Sequence, residues 1–286
     1  MLPLNYSQNY LNNLELLVKL VSKADFSETD VVYDIGAGKG AITDALKGAC
    51  ARVIAVELDR SLADGLISRF KDGGNVSVVN ADFMEIDLPP TNYKVFSNIP
   101  FNRTSEIFHK LYFSSNSPEE AYLILQKEAA ERFLGIGEGF MTFLLLAPFF
   151  NMEIVHKFSK ADFTPVPSVD TVLLRIDKRV TPRIDVTQEE NYRDFIVYVL
   201  KQQKPTLRLR TTKLFTSEQF KRVARELGLP ETVVASSVGY SQWIELFDRY
   251  LRFVQQEKRK LTLGVFNSHK STLFGREAVY RTKVRL

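Results

Sequence analysis

The 286-residue chain contains one cysteine, one tryptophan and three histidines, and each scarcity excludes something. A single thiol, Cys50, cannot close an intrachain disulfide, so a disulfide-stapled fold is ruled out and a reducing, cytoplasmic setting is expected. Three scattered histidines and one cysteine lack the ligand spacing of a structural zinc site, so no metal is expected. No stretch approaches the roughly 18 uninterrupted apolar residues of a membrane span. The most apolar run, Phe140–Phe150 (FMTFLLLAPFF), reads as a core helix. The N-terminus, MLPLNYSQNYLNN, has no basic region followed by an apolar one, so no secretory signal is expected. Acidic residues are scarce in the last third. Residues 181–286 hold 20 Lys and Arg against 11 Asp and Glu, whereas residues 1–180 hold 18 against 23. A basic segment joined to a mildly acidic body suits a phosphate-rich partner engaged from one side. A solvated, lysine-rich helical surface would give the same counts.

What is present is a large apolar fraction, 45%, with 25% charged residues, enough for one large domain and a small one. From residue 30 onward, short β-rich runs (Val31–Ile35, Arg52–Glu57, Val76–Val79, Lys94–Ser97, Tyr122–Leu125) alternate with helical candidates near 40–49, 60–70, 104–113 and 127–147. Near-continuous apolar strands separated by helices indicate a mostly parallel sheet covered on both faces. Met152–Phe158 and Val169–Ile176 follow without an intervening helix and read as an antiparallel edge hairpin with DFTPVPS as its long loop. After residue 180 helical periodicity takes over at 188–203, 217–227 and 241–256. Three segments are expected: 1–180, a small helical domain over 181–256, and a loose basic tail over 257–286.

The stretch Asp34–Gly40, DIGAGKG, follows the first apolar strand and opens a helix. Its glycines permit a tight turn and close approach of a ligand to backbone N–H groups. Gly36, Gly38 and Gly40 alternate, unlike the dinucleotide G-x-G-x-x-G fingerprint, and Asp34 can meet an α-ammonium group. Glu57 ends the next strand, where a carboxylate can accept from both hydroxyls of a ribose. Asp82, after the third strand, can accept from an adenine amino group. Each alone is an ordinary strand-end residue. Together, at the ends of three successive strands, they describe an adenosine bearing an amino acid, S-adenosylmethionine.

The fourth strand ends in Ser97–Arg103, SNIPFNR. The amino nitrogen of adenine is a poor nucleophile because its lone pair is delocalised into the ring. Acceptors for its two N–H groups, the Asn98 side-chain oxygen and the Pro100 carbonyl, would localise that pair. Proline fixes φ and presents a carbonyl without a competing N–H. Phe101 would stack on the base, a contact worth about 1–3 kcal/mol. An ordinary Asn-Pro turn ending a strand is the competing interpretation.

SQNYL (7–11), DIGAGKG, Glu57, ADF (81–83), NIPFN (98–102) and FTPVPSVDTVLLRI (163–176) occur in order and at the spacing of the ribosomal-RNA adenine N6-methyltransferases, a superfamily that the chain resembles over roughly residues 5–178. It includes the KsgA-type small-subunit dimethylases and the Erm methylases of 23S rRNA. The resemblance implies a Rossmann-like class I methyltransferase domain, α/β with a mostly parallel seven-stranded sheet, plus an all-helical C-terminal domain. It implies that Asn9 and Leu11 contact S-adenosylmethionine together with Asp34, Gly36, Gly38, Glu57, Asp82 and Asn98. It further implies that Phe163 is a second aromatic holding a flipped adenine, beside Asn98, Pro100 and Phe101. A loop-anchoring role for Phe163 is the alternative.

NIPF followed by Arg103-Thr104 is similar to the Erm form, whereas KsgA-type proteins usually read NLPYN; Phe101 and Tyr10 stand where the Erm pattern has Tyr and Phe. The expected activity is therefore mono- or dimethylation of one adenine of the 23S rRNA peptidyl-transferase loop, with resistance to macrolides, lincosamides and streptogramin B. The expected enzyme is a monomer acting on free rRNA or an early assembly intermediate, away from membranes. Lys201, Lys204, Arg208, Arg210 and Lys213 cluster near a helix junction and are the candidate RNA contacts. Modification of 16S rRNA and a non-catalytic nucleic-acid-binding relative are the alternatives; a DNA adenine methylase usually carries Pro-Pro-Tyr or Pro-Pro-Trp instead.

Overall fold

The computed structural model describes residues 9–72, 74–114 and 116–270; Ser7 and Gln8 of the SQNYL motif and the tail beyond 270 lie outside the described residues. Two compact units emerge. One comprises residues 1–131 and 151–178, the other 132–150 and 179–286.

The first unit is built on strands β2 (Val31–Ile35), β3 (Arg52–Glu57), β4 (Val76–Asn80), β5 (Lys94–Asn98), β6 (Glu120–Gln126), β7 (Phe150–Lys157) and β9 (Thr171–Lys178), in the spatial order β4-β3-β2-β5-β6-β9-β7. The first five are parallel, and β9 runs antiparallel to β6 over its whole length. Burial on both faces explains why β6 is uninterrupted EAYLIL: all six of those residues are buried. The order reverses between β2 and β5, which places the C-terminal ends of β2, β3, β4 and β5 around one crevice, where ligands of open α/β sheets bind. Helices α1 (Leu14–Ser22), α2 (Ala41–Lys47), α3 (Arg60–Phe70) and α4 (Thr104–Phe113) complete this unit together with a short two-stranded pair. In that pair β1 (Tyr10–Leu11) faces β8 (Phe163–Thr164), tying the N-terminal segment to the FTPVPS loop. Asn12 Nδ2 donates to Thr164 Oγ1 at 2.7 Å and Asn13 Nδ2 to Asp162 Oδ1 at 2.9 Å across the same junction.

The boundary expected near residue 180 needs one correction, because residues 132–150 belong to the second unit. The single helix expected over 127–147 is two, α5 (Lys127–Phe133) and α6 (Phe140–Leu146), interrupted by Gly-Ile-Gly-Glu-Gly at 135–139, a run that disfavours helix. In the second unit α6 meets α7 (Glu189–Lys201) and α10 (Tyr240–Phe253). Tyr192 donates its hydroxyl to the Leu144 carbonyl at 3.0 Å, and Phe140 and Phe143 meet Trp243 and Tyr240 edge-on. The helix expected over 217–227 is α9 (Ser217–Glu226), and a short α8 (Leu207–Arg210), not expected from the sequence, precedes it.

The tail expected to be loose from residue 257 is ordered through 270. Helix α11 (Gln256–Arg259) is followed by helical residues 265–270, and Phe266 is buried. Asp194 of α7, itself buried, accepts the N–H groups of Gly264 and Phe266 on its two oxygens, both at 2.8 Å. Tyr250 and Thr262 share a hydrogen bond of 2.9 Å, and Arg259 Nε donates to the Val254 carbonyl at 2.7 Å. Basic composition suggested a solvated arm, but a buried phenylalanine, a hydroxyl pair and hydrogen bonds to backbone groups hold it, none of which composition reveals. Asp194→Ala leaves two backbone donors without their acceptor and is expected to lower second-unit stability by about 1–2 kcal/mol in urea unfolding, with faster amide exchange over 256–270.

Candidate active site

The glycine loop is shaped by its surroundings. Gly36 and Gly38 have φ of +74° and +56°, a region L side chains rarely adopt. A Cβ at Gly38 would stand 2.9 Å from the Tyr10 ring, so only glycine lets the loop pass beneath it; at Gly36, where Pro100 would be in ordinary contact at 3.4 Å, the positive φ is the reason for glycine. The loop is anchored to β3, where the Val56 carbonyl accepts from Gly36 and Ala37 N–H groups at 2.8 and 3.0 Å. The buried Glu57 carboxylate accepts from Gly38 N–H at 2.7 Å on Oε2 and from Asp59 N–H at 2.8 Å on Oε1.

Asp34 is 1% exposed. Its Oδ2 accepts the Thr43 hydroxyl at 2.7 Å, whereas Oδ1 is buried without a hydrogen-bond partner. Burial pushes the Asp34 carboxyl up to about 7, the Glu57 charge adds to that rise, and the Thr43 hydrogen bonds oppose it. An ammonium group reaching this carboxylate would supply what it lacks.

The Ser97–Phe101 turn is set by β5. Ser97 Oγ accepts the Ile35 N–H at 2.7 Å, bracing β5 against β2 beyond the last pair of their ladder, Tyr33 with Val95. Asn98 Nδ2 donates to the Asn9 carbonyl at 2.7 Å, which fixes the amide and leaves Oδ1 as its acceptor for a ligand. Ile99 is buried and donates its N–H to the Ile124 carbonyl at 3.0 Å. The Pro100 carbonyl accepts from Arg103 N–H at 2.9 Å and from the Thr104 hydroxyl at 3.4 Å, so the oxygen expected to face a ligand also closes a 3-10 turn; the Thr104 hydroxyl reaches the Phe101 carbonyl at 3.2 Å as well and can leave Pro100 to another donor.

These parts converge on two cavities. One, about 510 Å³, is lined by Asn9, Leu11, Asp34, Gly36, Gly38, Asn98, Pro100 and Phe101, among others. The other, about 120 Å³, is lined by Glu57, Ala81, Phe83 and Arg103 and shares Gly36 and Pro100 with the first. Asp82 lines neither. Its carboxylate Oδ1 accepts from Met84 N–H at 2.9 Å and pairs with Arg103 at 3.0 Å. A glycine loop with no room for a Cβ at Gly38, an unpartnered buried carboxylate oxygen and a fixed second acid fit a ligand carrying both an ammonium group and a ribose.

Phe163 is 1% exposed, packs edge-on against Phe158 at 5.3 Å and lines neither cavity, whereas the residues that follow it, Thr164 and Pro165, line the larger one. Sequence could not tell the two roles apart, because both ask for an aromatic ahead of the Pro-rich loop. Of the candidate RNA contacts, Lys201, Lys204 and Lys213 are exposed. Arg208 pairs with Glu231 at 2.7 Å. Arg210 is occupied structurally, donating to the Lys204 and Leu200 carbonyls at 2.8 and 2.7 Å and so closing the C-terminal end of α7. Tyr10, Thr43, Ser97 and Arg103 act in the site without having been singled out for it. Tyr10, Ser97 and Arg103 lay inside the motifs SQNYL and SNIPFNR, and Thr43 left no trace.

A family model described as "Ribosomal RNA adenine dimethylase" matches residues 3–251. A curated rRNA adenine N-6-methyltransferase from Bacteroides fragilis is 31% identical over 260 residues, covering 90% of this chain and 97% of its own. One from Bacillus anthracis is 29% identical over 259 residues, covering 89% of each. Among solved structures, the 23S rRNA methyltransferase ErmE aligns with a TM-score of 0.75 at 24% identity, over 85% of this chain and 99% of its own. A dimethyladenosine transferase from Plasmodium falciparum aligns at 0.62 and 20% identity, over 91% and 98%.

Proposed function

Because the chain belongs to the ribosomal RNA adenine dimethylase family, we propose that it methylates the N6 atom of one adenine in 23S rRNA, at the peptidyl-transferase loop. At the coarser level it is an S-adenosylmethionine-dependent rRNA adenine N6-methyltransferase with a Rossmann-like catalytic fold. Bound S-adenosylmethionine supplies an electrophilic methyl group on its sulfonium. Asp34 would take its ammonium group, Glu57 its ribose and Asp82 its adenine, with the glycine loop and Asn9 closing around it.

The observation that carries the catalytic reading is the fixed amide of Asn98. With its nitrogen held by Asn9, Oδ1 accepts one N–H of the target amino group, and the Pro100 carbonyl takes the other. Both bonds withdraw the amino lone pair from conjugation and orient it, and orientation is the larger part of such a rate enhancement. Phe101, on the cavity wall, stacks on the base. Extracting that base costs a few kcal/mol of unstacking, least where pairing is weak. Exposed Lys201, Lys204 and Lys213 would offset this through phosphate contacts that weaken steeply with salt.

The 23S assignment rests on the form of the turn over 98–104, NIPFNRT, with Arg103 and Thr104 after NIPFN. Incubating the protein with labelled S-adenosylmethionine and protein-free 23S or 16S rRNA, then mapping by primer extension, tests it. A single stop in the peptidyl-transferase loop of 23S is the expected result and entails macrolide resistance. Label on paired adenines near the 3′ end of 16S would move the enzyme to the small-subunit class.

A further inference from the structure

Arg103 follows the base-clamp turn directly, yet its side chain points away from that turn's chemistry. Its Nη1 lies 3.0 Å from Asp82 Oδ1, and Nε and Nη2 each lie 3.2 Å from Glu106 Oε2, one turn along α4. The side chain is only 19% exposed and lines the smaller cavity, the one that contains Glu57. Its backbone N–H is the donor that closes the Pro100 turn. A single residue therefore holds the Pro100 carbonyl with its main chain and the Asp82 carboxylate with its side chain. Lys110, two turns further along α4, reinforces the link by donating Nζ to the carbonyls of Phe83, Met84 and Ile86, the turn that carries Asp82.

We propose that Arg103 is a positioning residue for cofactor selection: by locking the Asp82 carboxylate it lets the enzyme distinguish an adenine from a purine with a carbonyl at position 6. The inference rests on the reading of this site as an S-adenosylmethionine site. A carboxylate held by two donors on one oxygen, Met84 N–H and the guanidinium, cannot turn away from an unfavourable ligand. An adenine seated against Ala81 and Phe83, the cavity-lining neighbours on either side of Asp82, would offer its amino N–H to that carboxylate. Hypoxanthine offers a carbonyl oxygen, which meets a fixed negative charge with no proton between them. A site built to bind a donor rejects the analogue that lacks it, and does so only while its own group is held in place. Without Arg103 the carboxylate loses its charged anchor and keeps the weaker Met84 N–H on that oxygen, so it is less firmly held and the penalty on the wrong base falls.

The test compares S-adenosylhomocysteine with S-inosylhomocysteine by calorimetry on the full chain. The wild type is expected to prefer the adenosyl form by about 30-fold or more. Arg103→Met, which keeps the aliphatic stem, is expected to shrink that ratio to about threefold. Asp82→Asn should shrink it equally, and the double variant no further. The KM for S-adenosylmethionine should rise while kcat changes less than about threefold. A wild-type ratio retained in Arg103→Met, or a ratio near one in the wild type, overturns the proposal. If Arg103→Met does not fold, Glu106→Gln removes the second anchor instead; an unchanged ratio there overturns it as well. Failure of the wild type to bind either nucleoside would strike the cofactor reading itself, a result distinguishable from all of these.

Discussion

Asn98→Ala is expected to lose about 10²–10³-fold in kcat while binding S-adenosylmethionine within a few-fold of the wild type. The magnitude follows from removing one preorganised group that contacts the reacting centre. The side chain contributes twice. Its Oδ1 is the acceptor for the target amino group, and its Nδ2 holds the Asn9 carbonyl at 2.7 Å. Alanine removes both, so part of the loss could come from release of the N-terminal segment. Asn98→Asp separates the contributions. It keeps an acceptor for the base but presents an oxygen to the Asn9 carbonyl, which must then move away. If positioning by Asn9 dominates, the aspartate variant is as slow as the alanine one; if the acceptor dominates, it recovers a large share of the rate. Single-turnover methylation of rRNA with pre-bound labelled cofactor measures the chemical step directly. Full activity of Asn98→Ala would overturn the base-clamp mechanism.

The second large effect has opposite signs on binding and on stability. Asp34→Asn is expected to weaken S-adenosylmethionine binding by about 10–100-fold at pH 8 and, in the same buffer, to make the cofactor-free protein more stable by about 1–3 kcal/mol. Asp34 is buried, and its carboxyl is pushed up to about 7 from the 3.8 of an exposed aspartate. As pH rises from about 4 to 7 the unfolded chain ionises this group before the folded one does, so folding loses stability over that window. A rise from 3.8 to about 7 corresponds to at most about 4 kcal/mol. Asparagine removes that loss but leaves amide N–H groups at the site of the unpartnered Oδ1, which costs about 1–3 kcal/mol in return. The stability gain should therefore vanish at pH 5. Binding has the complementary profile. In the wild type it should weaken up to tenfold per unit as pH falls below about 7, where the ligand's ammonium group is still protonated; the asparagine variant should be flat there. Thermal melts and calorimetry at pH 5, 6.5 and 8 decide both halves. A pH-independent stability difference would show that Asp34 carries its charge at no cost.

The parts of this site that were legible in the sequence are those dictated by local backbone needs. Val31–Ile35 and Arg52–Glu57 were readable to the residue, because strands buried on both faces end abruptly where a glycine loop or an acid begins. Asn98 to Phe101 could be read because a proline after an apolar strand fixes where the chain turns. Residues whose roles are set by distant partners were not legible. Phe163 as loop anchor and Phe163 as base-stacking aromatic have the same sequence neighbourhood, and its contact with Phe158 was not visible there. Arg210 resembles any cation of a basic patch until the carbonyls at the end of α7 come within reach of it. Asp194 reads as a surface residue at the edge of an apolar helix, and its partners lie 70 and 72 positions away. Arg103 belongs to the same class: the acid it holds lies at the end of another strand.

The interleaving of the two units along the chain also bears on how the protein is made. Neither unit is a contiguous stretch, and β9, which separates β6 from β7 in the sheet, is the last of its strands to be synthesised. On the ribosome, β6 therefore waits without its neighbour while residues 132–150 emerge, and these in turn lack α7 and α10. Leu144, Leu145, Leu146 and Phe149, buried in the finished protein, are uncovered during that interval. The nascent chain thus exposes its most apolar stretch before either core can close, and a fragment cut at Lys178 would keep it exposed. Trigger-type holdases should accordingly engage the nascent chain most strongly between the emergence of residue 150 and that of α10, and expression of the two halves as separate polypeptides should yield aggregates.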